Sequence, residues 1–223
     1  MRAPRVVVFD VNETLSDMSP LASRFRDVGA PELTERVWFA SLLRDAFALT
    51  AAGGNARFAT LASAGLRSIF TGLSLTRDLD AAVEHVMSGF TALDVHRDVP
   101  DGVRALKESG RRLVTLSNGS AGVAHRLLTG AGIREEFEQL LSVEDAGVWK
   151  PAPGSYAYAA RTCGVDPVDM MLVAVHPWDI DGAARAGMET AWINRDGLPY
   201  PEYFTAPTHT ITALTELPRR LAA

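Results

Sequence analysis

One cysteine in 223 residues excludes an intrachain disulfide, and Cys163, set in AARTCG with no neighbouring base, reads as a packing residue. Basic residues are not clustered either. The 22 Lys and Arg against 27 Asp and Glu give a net charge of −5 spread along the chain, whereas a protein that tracks a phosphate backbone concentrates positive charge on one face. Nucleic acid is therefore not an expected partner. No apolar run approaches the roughly 18 residues of a membrane span. MRAPR is followed by four apolar residues before Asp10, too few for the apolar core of a signal peptide, so the expectation is a cytoplasmic protein with no membrane partner. The histidines show no metal-ligand spacing, and there is no internal repeat or low-complexity segment. What the chain does have is 47% hydrophobic residues, enough to bury a full core and to build one domain plus an insert.

Those apolar residues fall into two textures. Short β-branched runs recur at Val6–Phe9, 113–116, 140–143, 171–175, 191–193 and, more weakly, 208–212, each a candidate strand. Helical segments at 102–108, 121–128, 155–163 and 180–186 separate them, several closed by glycine at 110, 164 and 187. Strands alternating with crossover helices predict an α/β fold with a doubly wound parallel sheet. From Ser19 to Leu93 apolar residues recur instead at spacings of three and four, with breaks near 29–31, 53–54 and 72–76. That stretch reads as about four helices, a helical cap inserted after the first strand. The expected division is a core of residues 1–16 and 95–223 around a cap of residues 17–94, with the sheet resuming near Val99.

In a doubly wound sheet, ligands bind beyond the carboxyl ends of the strands, near the switch in strand order. The first strand, in VVVFDVNETLSD, ends on Asp10, which would project into that crevice. On its own this carboxylate reads equally well as a turn cap. The second strand ends TLSNGS, with Ser117 and Asn118; the third is followed by VWKPAPGSY, with Lys150 before a proline; the fourth is followed by HPWDIDGAARAGM, with Asp179 opening a helix. Each has a bland reading as a turn former, a solvated cation or a cap, but four at successive strand ends define a site.

FDVNETL, LSNGS, WKPAPGSY and WDIDGAARAGMETAWINR resemble the four motifs of the haloacid dehalogenase superfamily, over nearly the whole chain. Within it, the WDIDGA and WINRDG segments and Tyr156, six residues after Lys150, resemble the type II L-2-haloacid dehalogenases. The resemblance implies an Asp10 nucleophile, Ser117, Asn118 and Lys150 as carboxylate partners, Asp179 acting on the hydrolytic water, and a homodimer. It also implies a small carboxylic acid as substrate. Asn12, Phe39, Tyr156, His176 and Trp178 are this chain's own candidates to join Ser117 and Asn118 around it.

Residue chemistry separates the branches of this superfamily. Its phosphatases carry a second aspartate two residues after the nucleophile to protonate the leaving alkoxide; here that position is Asn12, and an amide is no acid. They also place a magnesium-binding acid about five residues before the motif-four aspartate, where this chain has Ala174-Val175, which offer a hard cation no side-chain oxygen. Glu13 is adjacent in the turn, points differently and does not occupy the acid position. Neither a metal nor another cofactor is expected. A carboxylate can still displace halide from the carbon next to a substrate carboxylate, because halide leaves without a proton, and water then hydrolyses the resulting ester.

The chain also departs from the dehalogenase pattern. Asn12 and Glu13 stand where tyrosine and glycine are usual, Phe39 aligns with a halide-binding arginine of the cap while Arg36 lies one turn earlier, and Ala174 and His176 replace serine and asparagine. His176, beside Asp179, reads as a neutral donor to substrate, as a second base for water, or as a histidine tied to a backbone carbonyl. The alternatives left open are a non-catalytic carboxylate-binding protein and, third, a phosphatase.

Overall fold

The computed structural model describes residues 4–222. Six parallel strands form one sheet in the order β3-β2-β1-β4-β5-β6: β1 Val6–Phe9, β2 Arg112–Ser117, β3 Gln139–Ser142, β4 Met170–Ala174, β5 Glu189–Ile193 and β6 His209–Ile211. All pairings are parallel, and Phe9 aligns with Thr115 on one side and Val173 on the other. This is the doubly wound α/β arrangement anticipated from the alternating pattern, with the order reversing between β1 and β4.

The two-residue period of a strand divides the core. Val7, Phe9, Leu113, Met171 and Val173 pack on one face, with Val99, Val103 and Leu106 of α5 (Val99–Glu108) and Leu127 and Leu128 of α6 (Ala121–Gly130). Val6, Val8, Val114, Leu116 and Leu172 pack on the other, against Tyr156, Ala159 and Cys163 of α8 (Pro153–Cys163) and Ile180 and Ala183 of α9 (Pro177–Arg185). Burial on both faces is why β1 reads VVVF without a polar residue. Two one-turn helices complete this part of the chain, α7 (Val143–Ala146) after β3 and α10 (Leu217–Arg220) near the end. Cys163 is buried in the second face, as its composition implied.

The described residues up to Ser16, together with those from Asp94 onward, form one compact unit, and Asp17–Leu93 form a second. The second is wholly helical: α1 Leu21–Asp27, α2 Thr34–Ala51, α3 Phe58–Phe70 and α4 Leu79–Phe90. Its core follows the helical period, with Trp38, Leu42 and Ala46 on α2 and Phe58, Ala62, Leu66 and Phe70 on α3. The Trp38 indole donates to the Ala62 carbonyl at 3.0 Å, and Phe58 stacks on Phe90 with centroids 4.9 Å apart.

The sheet does not resume at Val99. A proline in the first turn starts α5 there, and the next strand begins at Arg112. No helix among the described residues is long and apolar enough to cross a membrane.

Helix α5 packs closely on the chain near Leu214. A Cβ built at Gly102 would lie 2.6 Å from Leu214 Cγ and 3.0 Å from its backbone carbonyl carbon. Gly102→Ala gains about 1 kcal/mol of helix propensity but overpacks a site where such insertions cost about 1–3 kcal/mol. A net loss of up to about 2 kcal/mol is expected in urea unfolding, and a stabilised variant would contradict this packing.

Candidate active site

Because neighbouring strands are in register, the carboxyl ends of β1, β2 and β4 meet at one edge of the sheet. The Asp10 amide still donates to Val173 O at 3.1 Å, so the chain leaves the sheet only after Asp10, at the switch in strand order. The turn beyond closes by bonds from the Leu15 and Ser16 amides to Val11 O and returns Thr14 towards Asp10.

At the centre is a lysine with no solvent contact. Lys150 Nζ donates to Asp10 Oδ1 at 2.9 Å and to Asp179 Oδ2 at 2.6 Å, with all three side chains buried. Burial alone pushes an ammonium towards neutrality, yet the two carboxylates reverse this and raise the Lys150 pKa. For Asp10, burial favours the protonated form, but Lys150 and His176 outweigh it and hold the carboxyl well below the usual range. Asp179 is raised by burial and by the Asp10 charge, against the pull of Lys150. Asp10 is thus held as an anion, and Asp179 is the more basic carboxylate.

Each member has its own support. The Lys150 amide donates to Asn118 Oδ1 at 3.0 Å, and Asn118 Nδ2 donates to Lys150 O at 3.5 Å, so the end of β2 holds the loop that carries the lysine, whose bond to Pro151 is cis. Tyr156, buried on α8, donates its hydroxyl to Asp179 Oδ1 at 2.6 Å. Gly182 of the WDIDGA segment makes room for that contact, since a Cβ there would lie 2.5 Å from the Tyr156 hydroxyl. Asp181 lies off the site, bonded to Arg185 and Thr205.

Several of the expected substrate contacts also bond protein groups. Asn118 and Tyr156 hold Lys150 and Asp179. Ser117 Oγ accepts from the Gly119 amide at 2.9 Å, shaping the turn after β2. Asn12 is buried with its amide beside Gly119. Trp178 stacks on His176, centroids 4.9 Å apart, and Lys150 Nζ lies 6.0 Å from its ring. Phe39 belongs to α2 of the helical unit, buried next to Trp38, while Arg36 is exposed beside Glu35.

The ring of His176 stands between two carboxylates. Its Nδ1 lies 3.1 Å from Asp10 Oδ2 and its Nε2 lies 2.8 Å from Glu13 Oε2. Burial works against the imidazolium, but the two carboxylates raise its pKa from 6.5 to about 9. A buried lysine and a half-buried imidazolium therefore offset Asp10 and Asp179. Sequence reasoning set Glu13 aside and gave Thr14 no role, although Thr14 Oγ1 donates to Asp10 Oδ2 at 2.6 Å and accepts from the Val175 amide at 3.1 Å. A hydroxyl four residues after the carboxylate in DVNET was the available signal; nothing in the pattern marked the reach of Glu13.

A carboxylate held ionised at the switch point of a doubly wound sheet, bridged by a lysine to a second, more basic carboxylate, defines a hydrolase-type centre. The chain belongs to the haloacid dehalogenase-like hydrolase family, whose model matches residues 4–187. It is 29% identical over 213 residues to an (S)-2-haloacid dehalogenase of Pseudomonas putida, covering 95% of this chain and 93% of that one. It is 31% identical over 216 residues to (S)-2-haloacid dehalogenase 4A of Burkholderia cepacia, with 96% and 93% coverage. The crystal structure of a dehalogenase in an intermediate complex superposes with a TM-score of 0.92 at 28% identity, covering 100% of this chain and 99% of the other.

Lys150→Met leaves two buried carboxylates without their cation, a change expected to cost about 3–5 kcal/mol at neutral pH. One carboxyl must then take a proton on folding, so its folded pKa lies above the unfolded value of 3.8. Stability of the variant is then lost as pH rises through that folded value, and its deficit against wild type should shrink on acidification from pH 7 to pH 5. Urea midpoints at the two pH values check this; a deficit that grows in acid would contradict the bridge.

Proposed function

We propose that the protein is a cofactor-independent hydrolase that displaces halide from a small 2-haloacid to give the 2-hydroxy acid. The observation that carries this reading is the Asp10–Lys150–Asp179 bridge, which keeps one carboxylate ionised for attack and places a more basic one beside it. The relatives' activity as 2-haloacid dehalogenases supports the choice of substrate.

Asp10 Oδ1, with Lys150 as its donor, attacks the carbon bearing the halogen, and halide departs with the bonding pair. The product of this step is an ester on Asp10. Water adds to the ester carbonyl carbon, giving one proton to Asp179. Collapse expels the hydroxy-acid oxygen, formerly Oδ1, which takes a proton from Lys150 Nζ. Lys150 regains it from Asp179 across their 2.6 Å hydrogen bond. The second water proton leaves from the regenerated Asp10 carboxyl to solvent, so one proton and one halide are released per turnover.

The side chains present do not favour a magnesium-dependent phosphatase. Ala174 is buried and apolar, Asn12 is no acid, and Lys150 already bridges Asp10 and Asp179, which a hard cation would need as oxygen ligands.

Halide release from 2-chloropropionate and 2-bromopropionate should persist in excess chelator, faster for the bromo acid because bromide is the better leaving group. Asp10→Asn should retain the far-ultraviolet dichroism of wild type and lose turnover by about 10³-fold or more. Phosphate-ester hydrolysis that requires magnesium, with no halide released from any 2-haloacid, would overturn the proposal.

A further inference from the structure

The two oxygens of Asp10 are not equivalent. Oδ1 receives Lys150 Nζ at 2.9 Å, whereas Oδ2 receives the Thr14 hydroxyl at 2.6 Å and faces His176 Nδ1 at 3.1 Å. The oxygen with a single donor is the better nucleophile, and the doubly held one is left as the carbonyl oxygen of the ester. In a displacement the leaving group departs opposite the attacking oxygen, so a group bonded to the attacking carboxylate stands on the wrong side to receive halide. His176 is therefore of little use to the first step. It faces the oxygen that turns negative when water adds to the ester.

Glu13 is built to hold that imidazole. It is one of two non-glycine residues among those described with a positive φ, at 61°, a conformation that side chains other than glycine adopt at a cost. Its amide donates to Ser16 Oγ at 3.2 Å and its carbonyl accepts from His96 Nε2 at 2.9 Å. So fixed, its carboxylate reaches His176 Nε2, while Trp178 stacks on the ring from α9.

We propose that His176, oriented by Glu13, is a catalytic residue for ester hydrolysis: its imidazolium and the Thr14 hydroxyl together hold the Asp10 oxygen that becomes the oxyanion. This deepens the ester mechanism above and rests on it. Water adds to the ester carbon, its proton goes to Asp179, and the carbonyl electron pair moves onto Oδ2 between the two donors. Collapse returns the pair to the carbonyl as the hydroxy-acid oxygen leaves with the proton from Lys150. His176 remains protonated throughout. Glu13 is a positioning residue whose charge matters most in the ester, because Asp10 has then lost its own charge and Glu13 remains as a carboxylate on the imidazole.

His176 faces the carboxylates of Asp10 and Glu13 and the Trp178 ring, and Thr14 and Lys150 act on it through Asp10. With Asp10 esterified, hydrolysis should decline with rising pH at a point between the ordinary histidine value of 6.5 and the resting value of about 9. Glu13→Gln should move that decline to lower pH.

Rapid-quench single turnovers with 2-bromopropionate, read by intact mass, separate the two steps. His176→Phe keeps a ring to stack on Trp178 but removes both donors; its ester should form within about tenfold of the wild-type rate and hydrolyse about 100-fold more slowly, so adduct accumulates. Equal slowing of both steps, or hydrolysis at the wild-type rate, overturns the inference while the nucleophile reading stands. No adduct and no halide from wild type overturns both. Should His176→Phe fail to fold, Glu13→Gln decides the matter through its pH profile, and an unshifted decline overturns the proposal. Nitrogen-15 histidine spectra give a readout independent of turnover: the His176 midpoint, near 9 in the resting enzyme, should fall in Glu13→Gln.

Discussion

A lysine ammonium without solvent contact, fixed between two buried carboxylates, is the constraint around which this protein is organised. Removing any one of these charges leaves the others uncompensated in a medium that solvates them poorly. The neighbouring structure serves to keep them in place. Asn118 grips the Lys150 backbone from the end of β2, Tyr156 holds Asp179 from α8, and Gly182 leaves room for that hydroxyl. The parallel sheet, ordered 3-2-1-4-5-6, sends the chain after β1, β3 and β4 to the same edge, which is what lets residues 10, 150 and 179 share a proton network.

A second cation modifies the chemistry of the same carboxylate. His176 and Glu13 stand where the resemblance leads one to expect asparagine and glycine, and in the fold they bond to each other. The two departures are thus one change: a carboxylate on a left-handed turn and an imidazolium it holds against Asp10. Lys150 and His176 divide the two Asp10 oxygens between them, and the proposed division between attack and oxyanion rests on that asymmetry.

The sheet and the inserted helices were legible because their apolar periods differ and because glycine and proline punctuate them. Asp10, Lys150 and Asp179 were legible for a topological reason, since each follows a strand whose end faces the same crevice. The protein partners of Asn118 and Tyr156 were not legible: a polar residue near a strand end announces that it lies near the site, but not which protein groups it holds there. Val99 was assigned to the resuming sheet because a lone apolar residue before proline does not distinguish a strand from a helix start. Thr14 and Glu13 were missed for a different reason. Their reach depends on the dihedral angles of one tight turn, and a positive φ at a glutamate leaves no trace in composition or periodicity.

An attack by Asp10 that forms an ester transfers an oxygen of the protein to the first product. A single turnover of excess enzyme with 2-bromopropionate in heavy-oxygen water should therefore yield 2-hydroxypropionate carrying ordinary oxygen at its new hydroxyl, with the heavy isotope recovered in the peptide containing Asp10. Heavy oxygen in that hydroxyl, with none in Asp10, would show that water attacks the substrate carbon itself and would contradict the covalent role of Asp10.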